Sequence, residues 1–418
     1  VKVIAVTDSD SYVKWGATIV DRMPAAWQRS LVVIRTPALP SGSQLASALS
    51  GTRFTVEETP VVDLADLASL IRDEKPDVVV LSVRGPVVRV LVRMIVANST
   101  NRPVIVSGLP GISIPETLNA LYYRSQVDLI VLHSKREVRA FAALAASLGI
   151  RQDFGLATLP FLRARQKEAA HGKDIVFAPQ AKVPKSLEDR TQLLDWLVEA
   201  ARHNPGHRVV IKLRGASGEA QTHAEKYPYD TLMLERDDIP ENLVTSTGPM
   251  SEHLQQAAAL VTVSSTAALE AMAAGVPVLA IDDFGVAPQF INTVFEASGV
   301  LGHSTSLLIG GFRHPSEHWL DDNYFHAPSD ETWVERIEMA VAMREQGGLM
   351  LRPQFRGSLG GNLRRIWDRK RALGPYDRSF DGYLALAVGL PLRGAIRRYR
   401  QLRARRAPER QPEFERVG

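Results

Sequence analysis

A cluster of hydroxyls, followed one helical turn later by a carboxylate, stands at 264–270 of this 418-residue chain. Ser264, Ser265 and Thr266 follow the apolar run Leu260 to Val263, and Ala267 to Ala274 carries helical spacing before Gly275 and a second apolar run, Val276 to Ile281. The order reads as strand, hydroxyl-rich turn, short helix, strand. Hydroxyls in such a turn, together with the free N–H groups of a helix start, offer several donors to a phosphate. Glu270 lies about one turn deeper, where a carboxylate can accept from ribose hydroxyls. A plainer reading stands beside this one, in which the hydroxyls cap the helix and Glu270 is solvated or salt-bridged.

Other chemistry-bearing residues stand at the ends of apolar runs. Lys212 and Arg214 close the run Arg208 to Lys212 and suit a phosphate or a leaving nucleotide. Asp8 and Asp10 follow the first run, Val1 to Thr7, in Asp8-Ser9-Asp10-Ser11-Tyr12, where a carboxylate can deprotonate a hydroxyl or an Asp/Ser pair can cap a helix. His133 follows Leu129 to Leu132 as a second kind of base, beside Lys135 and Arg136 as anion binders. Gly108 and Gly111, in the Gly/Pro turn after Val104 to Val106, permit close backbone approach by an acceptor, or simply a tight turn. Glu219 and His223 are spaced i,i+4, but a solvated helix face explains them better than a metal pair, and no metal is expected.

The segment from Leu260 to Ile281 resembles the donor-binding half of GT-B glycosyltransferases. That resemblance implies that the hydroxyl turn holds donor phosphate and Glu270 holds ribose. Thr247-Gly248-Pro249-Met250-Ser251-Glu252-His253 resembles the loop that contacts the nucleotide base in those enzymes, which brings Gly248 into the donor site. Arg208 to Gly215 is similar to the strand preceding the His-Pro motif of bacterial capsule transferases such as polysialyl- and Kdo-transferases. Arg214-Gly215 stands where that family has His-Pro, so a CMP-sugar is suggested without being secured; the His314-Pro315 pair lies after the hydroxyl turn and is not equated with the motif. Asp8 to Trp15 also resembles the opening of uncharacterised actinobacterial proteins described as glycosyltransferases. The resemblance makes Asp10 the first candidate for acceptor base and Asp8 the second.

Elements that would position these groups follow from periodicity. Strand-like runs at Val3 to Val6, Leu31 to Ile34, Val78 to Leu81, Val104 to Val106 and Leu129 to Leu132 alternate with helical patterns at Tyr12 to Met23, Leu64 to Asp73, Val87 to Ala97, Pro115 to Tyr123 and Lys135 to Ser147. Such alternation implies a parallel sheet covered on both faces. A second series has strands at Asp174 to Ala178, Arg208 to Lys212, Thr231 to Leu234, Leu260 to Val263 and Val276 to Ile281. Its helices fall at Leu187 to Arg202, His253 to Ala258, Ala267 to Ala274 and Thr332 to Arg344. The expectation is an α/β chain of two Rossmann-like doubly wound domains facing a cleft: 1–160 for the acceptor, 173–355 for the nucleotide-sugar donor, and 356–418 as C-terminal helices with a basic tail. A linker is expected near 155–173.

Composition narrows the classes. Forty-five per cent hydrophobic and 23% charged residues fit a globular protein, and the absence of cysteine removes disulfides, thiolate metal sites and a Cys nucleophile. No apolar run reaches the roughly 18 residues of a membrane span, and no secretory signal opens the chain, so a cytoplasmic protein is expected. Net charge is +4, yet 393–418 holds nine Arg against three Glu, leaving the remainder at −2. With Ile396, Tyr399 and Leu402 at helical spacing, this tail suits an anionic membrane at the inner face of the plasma membrane, and the body does not suit nucleic acid. P-loop, zincin, nucleophile-elbow and dinucleotide fingerprints are absent. The expected activity is metal-independent transfer of a sugar, without cofactor, from a UDP- or CMP-linked donor to a cell-surface glycan or its lipid-linked precursor. A non-hydrolysing nucleotide-sugar epimerase and a non-catalytic nucleotide-sugar-binding protein are the alternatives.

Overall fold

A computed structural model of the chain describes residues 1–160, 162, 172–181, 183–213, 225–353, 361–389 and 391. Two parallel sheets result. The first contains β1 (Lys2–Thr7), β2 (Gln28–Ile34), β3 (Val61–Val62), β4 (Val78–Ser82), β5 (Val104–Gly108), β6 (Leu129–Leu132) and β7 (Asp153–Leu156), in the order β3-β2-β1-β4-β5-β6-β7. The second contains β8 (Asp174–Phe177), β9 (Val209–Lys212), β10 (Leu243–Ser246), β11 (Ala257–Thr262), β12 (Val278–Ile281) and β13 (Leu301–Gly302), in the order β10-β9-β8-β11-β12-β13.

In each sheet the strand order reverses once, between β1 and β4 and between β8 and β11, and this is where open parallel sheets leave a crevice at their carboxyl ends. The central strands are buried on both faces, every residue of β4 included, which is why they read as unbroken apolar runs. Helix Asp10–Asp21 lays Val13, Ala17 and Val20 on the first sheet, an i, i+4, i+7 stripe.

Several elements depart from the expected series. Residues 231–234 lie in a helix, Tyr229–Leu234, which buries Tyr229 and Leu232 and turns Leu234 to solvent, a one-turn periodicity that a short apolar run disguises as a strand. The strand position is taken instead by β10, an edge strand with a single fully buried residue. β7 extends through Leu156 into the segment read as linker, pairing with β6. Helix Trp333–Glu345, which follows the second sheet in sequence, returns to the first and packs Trp333, Ile337 and Val341 into its core.

Contacts between the two units gather at the start of helix Lys135–Ser147. Lys135 bridges Asp321 and Asp330 at 2.9 and 2.8 Å, and Arg139 grips Asp322 through two hydrogen bonds of 2.7 Å. Arg136 donates to the carbonyls of Thr293 and Val294. Where the chain crosses back, the Glu331 carboxylate accepts from Arg22, Thr158 and the Trp333 indole. Burial raises its pKa, but these donors outweigh it and hold the carboxyl at about 2.

Candidate functional site

Both switch points carry polar residues. At the first, Asp8 follows β1 and Arg84 follows β4. The Asp8 carboxylate is fully buried and accepts from Arg84 Nε at 2.7 Å, from the Arg84 backbone N–H at 3.2 Å and from Ser9 Oγ at 3.3 Å, while Arg84 also donates to Thr36. Burial raises the Asp8 pKa and Arg84 opposes the rise. A carboxylate enclosed in this way orders the strand ends, and its oxygens do not face an incoming hydroxyl, which corrects its reading as a base. Asp10 is different: it is half-buried in the first turn of helix Asp10–Asp21, with Lys14 one turn on along the same face.

At the second switch point β11 ends in the hydroxyl turn. Thr262 Oγ1 donates to the Ala178 carbonyl beyond β8 at 2.8 Å and accepts from the Ser265 N–H at 3.0 Å, tying the turn to the neighbouring strand. Ser265 Oγ accepts from the Ala267 N–H at 3.2 Å. Thr266 is the N-cap residue but its side chain makes no capping bond, and the helix Ala267–Ala273 has only seven residues, so hydroxyls rather than the helix dipole dominate this turn. Ser264 Oγ is buried and meets no hydrogen-bond partner among the described residues. A buried hydroxyl in that condition is costly unless a ligand or water completes it.

Glu270, in the helix after the turn, connects the two halves. Burial raises its pKa, and the opposing influences are Lys14 from the first unit and Lys212 at the carboxyl end of β9. The Glu270 carboxylate is therefore influenced by one lysine from each unit, Lys14 on helix Asp10–Asp21 and Lys212 on β9. Gly248 follows β10 with φ +106°, a conformation that favours glycine, and starts the loop into helix Met250–Gln255. Arg214 lies outside the described residues.

Two expected site residues serve packing instead. His133 is wholly buried: its Nε2 accepts from Trp15 Nε1 at 2.6 Å and its Nδ1 donates to the Ala157 carbonyl at 2.9 Å, which fixes the neutral tautomer. With its basic nitrogen engaged it is no general base. Burial lowers its pKa to about 4, below the ordinary 6.5. His133 therefore favours the fold fully above about pH 6.5, and this contribution, on the order of 3 kcal/mol, is lost as pH falls through 4. Urea unfolding between pH 7 and 4 should show a steeper loss of stability for the wild type than for His133→Gln; parallel curves would overturn the assignment. Gly108 is the other case. A Cβ there would lie 2.1 Å from the Trp15 ring, so the missing side chain makes room for tryptophan and not for an acceptor. Around Gly111 the space is open.

Glu137 and Lys14 are the important residues the sequence reading did not select. Glu137 is buried and accepts from the N–H groups of Ser113 (2.7 Å) and His133 (2.8 Å) and from Tyr324 Oη of the second unit (2.7 Å). Burial raises its pKa against these bonds. The Ser134-x-x-Glu137 spacing announces a helix start, and Ser134 Oγ does accept from the Glu137 N–H; nothing in that spacing points to Tyr324. For a metal, the described residues offer one group: Asp282, Asp283 and His303 beyond β12 and β13, with ligand atoms within 4.8 Å of one another. Asp283 is already engaged by the N–H and Oγ of Ser304 at 2.7 Å each.

This geometry can be set beside known proteins. A family model described as "Putative glycosyltransferase (DUF6716)" matches residues 3–340. No curated protein matches the sequence. Among solved structures, MnaA of S. aureus with UDP superposes with a TM-score of 0.50 at 12% identity, over 85% of this chain and 100% of that one. UDP-GlcNAc 2-epimerase of Neisseria meningitidis bound to UDP-GlcNAc does so with 0.50 at 11% identity, over 82% and 100%. UGT2 of Phytolacca americana, with UDP-2-fluoroglucose and pterostilbene, reaches 0.45 at 10% identity, over 83% and 93%. At these identities the likeness is one of fold, the two-domain GT-B arrangement.

Proposed function

We propose, from the premise that the chain belongs to the DUF6716 family of described glycosyltransferases, that it transfers a sugar from a nucleotide donor to an acceptor hydroxyl in the crevice between its two sheets. One observation carries this reading: Glu270, one turn beyond the hydroxyl turn of the second sheet, lies in the field of both Lys212 and Lys14. Donor groups and the acceptor-side helix thus share one electrostatic environment.

The roles follow from chemistry. Ser264 and Ser265, with Thr266, hydrogen-bond the donor phosphates, and the unsatisfied Ser264 hydroxyl gains a partner. Lys212 neutralises the charge that develops on the departing nucleotide, the term that dominates reactions of this kind. Glu270 accepts from the ribose hydroxyls, and Gly248 lets the backbone approach the base. Asp10 takes the proton of the acceptor hydroxyl as it attacks the anomeric carbon and the bond to the leaving phosphate breaks. Catalysis is assigned to these groups without a metal or a cofactor.

Donor preference is proposed between UDP and CMP sugars. UDP is supported by the bound nucleotides of the two neighbours at TM-score 0.50, and CMP by the likeness of the β9 region to capsule transferases. The acceptor is proposed as a cell-surface glycan or its lipid-linked precursor. The test is a thermal-shift titration with UDP, CMP, GDP and their sugar conjugates. A ligand at 100 times its Kd should stabilise the protein by about 2.7 kcal/mol. One nucleotide should shift the melting temperature, and Glu270→Ala should abolish most of that shift; no shift with any nucleotide would sink the proposal.

A second reading, an epimerase acting on the nucleotide sugar, is favoured by the Neisseria neighbour, which is described as one. It is separated by turnover of the sugar nucleotide in the absence of any acceptor.

A further inference from the structure

The C-terminal described segment presents an unusual face. Residues 380–389 are helical and lean on helix Gly361–Leu373 through small residues: Ala385 is buried, a Cβ on Gly389 would lie 2.3 Å from the Trp367 ring, and one on Gly382 would lie 2.9 Å from Asp377 Oδ2. The Lys370 ammonium, itself buried, stands 3.5 Å from the centre of the Tyr383 ring and fixes that end of the packing. With the small residues inside, the large apolar ones are outside. Phe380 is 78% exposed, Tyr383 54%, Leu384 51% and Val388 46%, a stripe at i, i+3, i+4 and i+8. Helices on a protein core place such a stripe inward, so an outward stripe indicates an apolar phase or partner.

Charge identifies which. The supporting helix Gly361–Leu373 exposes Arg364, Arg365 and Arg371, whereas Arg369 is paired with Asp377 and Asp381 and Lys370 is buried; its one acid, Asp368, pairs with Arg364. Directly after the stripe the sequence continues with nine Arg against three Glu in residues 393–418, a stretch that lies outside the described residues. We infer that the apolar stripe Phe380, Tyr383, Leu384 and Val388 docks on the surface of an anionic lipid bilayer, with the flanking arginines meeting lipid phosphates. Apolar insertion and cation attraction together give the two signals that stable peripheral attachment needs, where either one alone is marginal. No described helix is long and apolar enough to cross a membrane, which fits a helix lying in the interface.

The inference does not depend on the proposed reaction, and its test uses the full chain without any substrate. Sedimentation with vesicles of phosphatidylcholine containing about one-third phosphatidylglycerol should pull the protein down, and pure phosphatidylcholine should bind at least about tenfold less. Raising salt from about 0.1 M to about 0.5 M should weaken binding severalfold, because the attraction is screened. The double substitution Phe380→Asp, Leu384→Asp should lower binding at least about tenfold with no change in melting temperature, since both side chains are exposed. A second substitution, Val388→Asp, repeats the test at the far end of the stripe. Equal binding by wild type and both variants would overturn the inference. So would failure of the wild type to bind anionic vesicles. A concentration-dependent dimer in light scattering, dispersed by the same substitutions without any vesicle binding, would replace the bilayer with a second copy of the chain.

Discussion

Asp10→Asn should lower the turnover number by about 10²–10⁴ while leaving nucleotide affinity within a factor of two, the signature of a lost general base. Asp10 and Lys14 are spaced i,i+4 on helix Asp10–Asp21, and Lys14 lowers the pKa of Glu270 in the other unit, so in the proposed donor placement Asp10 shares the helix face that lies toward the sugar. Asp8, two residues earlier, offers a control. Its carboxylate is buried and engaged by the partly exposed Arg84, so Asp8→Ala should act on stability, by about 1–3 kcal/mol for the lost hydrogen bonds, and on activity only in proportion to the protein unfolded. Melting curves and single-turnover rates for both variants separate the roles. Retention of full turnover by Asp10→Asn would remove the base assignment.

That contrast also marks the limit of what the sequence discloses. The parallel strands were legible because a sheet covered on both faces leaves runs such as Val78 to Leu81 without polar interruptions. β10 was not, because an edge strand of four residues with one buried side chain carries almost no period-2 signal, whereas the Tyr229–Leu234 helix next to it is the more apolar segment. The hydroxyl turn and Glu270 were legible as a strand end and the helix after it, while their place at the switch point follows from the strand order, with β11 beside β8. Asp8 and Asp10 are chemically alike and two residues apart, yet Asp8 is fully buried under Arg84, 76 positions downstream, while Asp10 is half-buried. His133 is likewise decided by Trp15, 118 positions upstream, and Glu137 by Tyr324, 187 positions on. Local spacing places a side chain at a strand end; long-range packing determines how deeply it is enclosed.

Lys212→Ala should carry the second large effect: turnover reduced by about 10²–10³, as for removal of one group that stabilises developing charge, with weaker nucleotide binding as well. It differs from Asp10→Asn in that both affinity and rate fall, because the cation meets phosphate in the ground state and more strongly as the bond breaks. Burial already raises the Glu270 pKa, and Lys212 and Lys14 hold the rise in check, so removing either lysine moves that pKa higher still. Glu270 must be ionised to accept from ribose hydroxyls with full strength. Nucleotide binding should therefore fail at a higher pH in Lys212→Ala and in Lys14→Ala than in the wild type, when titrated downward from neutrality. Lys14→Ala should show this shift without the larger loss of rate, since its charge comes from the acceptor-side helix, and Lys212→Arg should restore part of the turnover by keeping a cation at the end of β9. Calorimetric titration of the nucleotide over pH 4.5 to 8 checks the binding limb and rapid-quench kinetics the rate. If Lys212→Ala lowered the rate but left the acid limb of binding unmoved, Lys212 and Glu270 would not share the donor site.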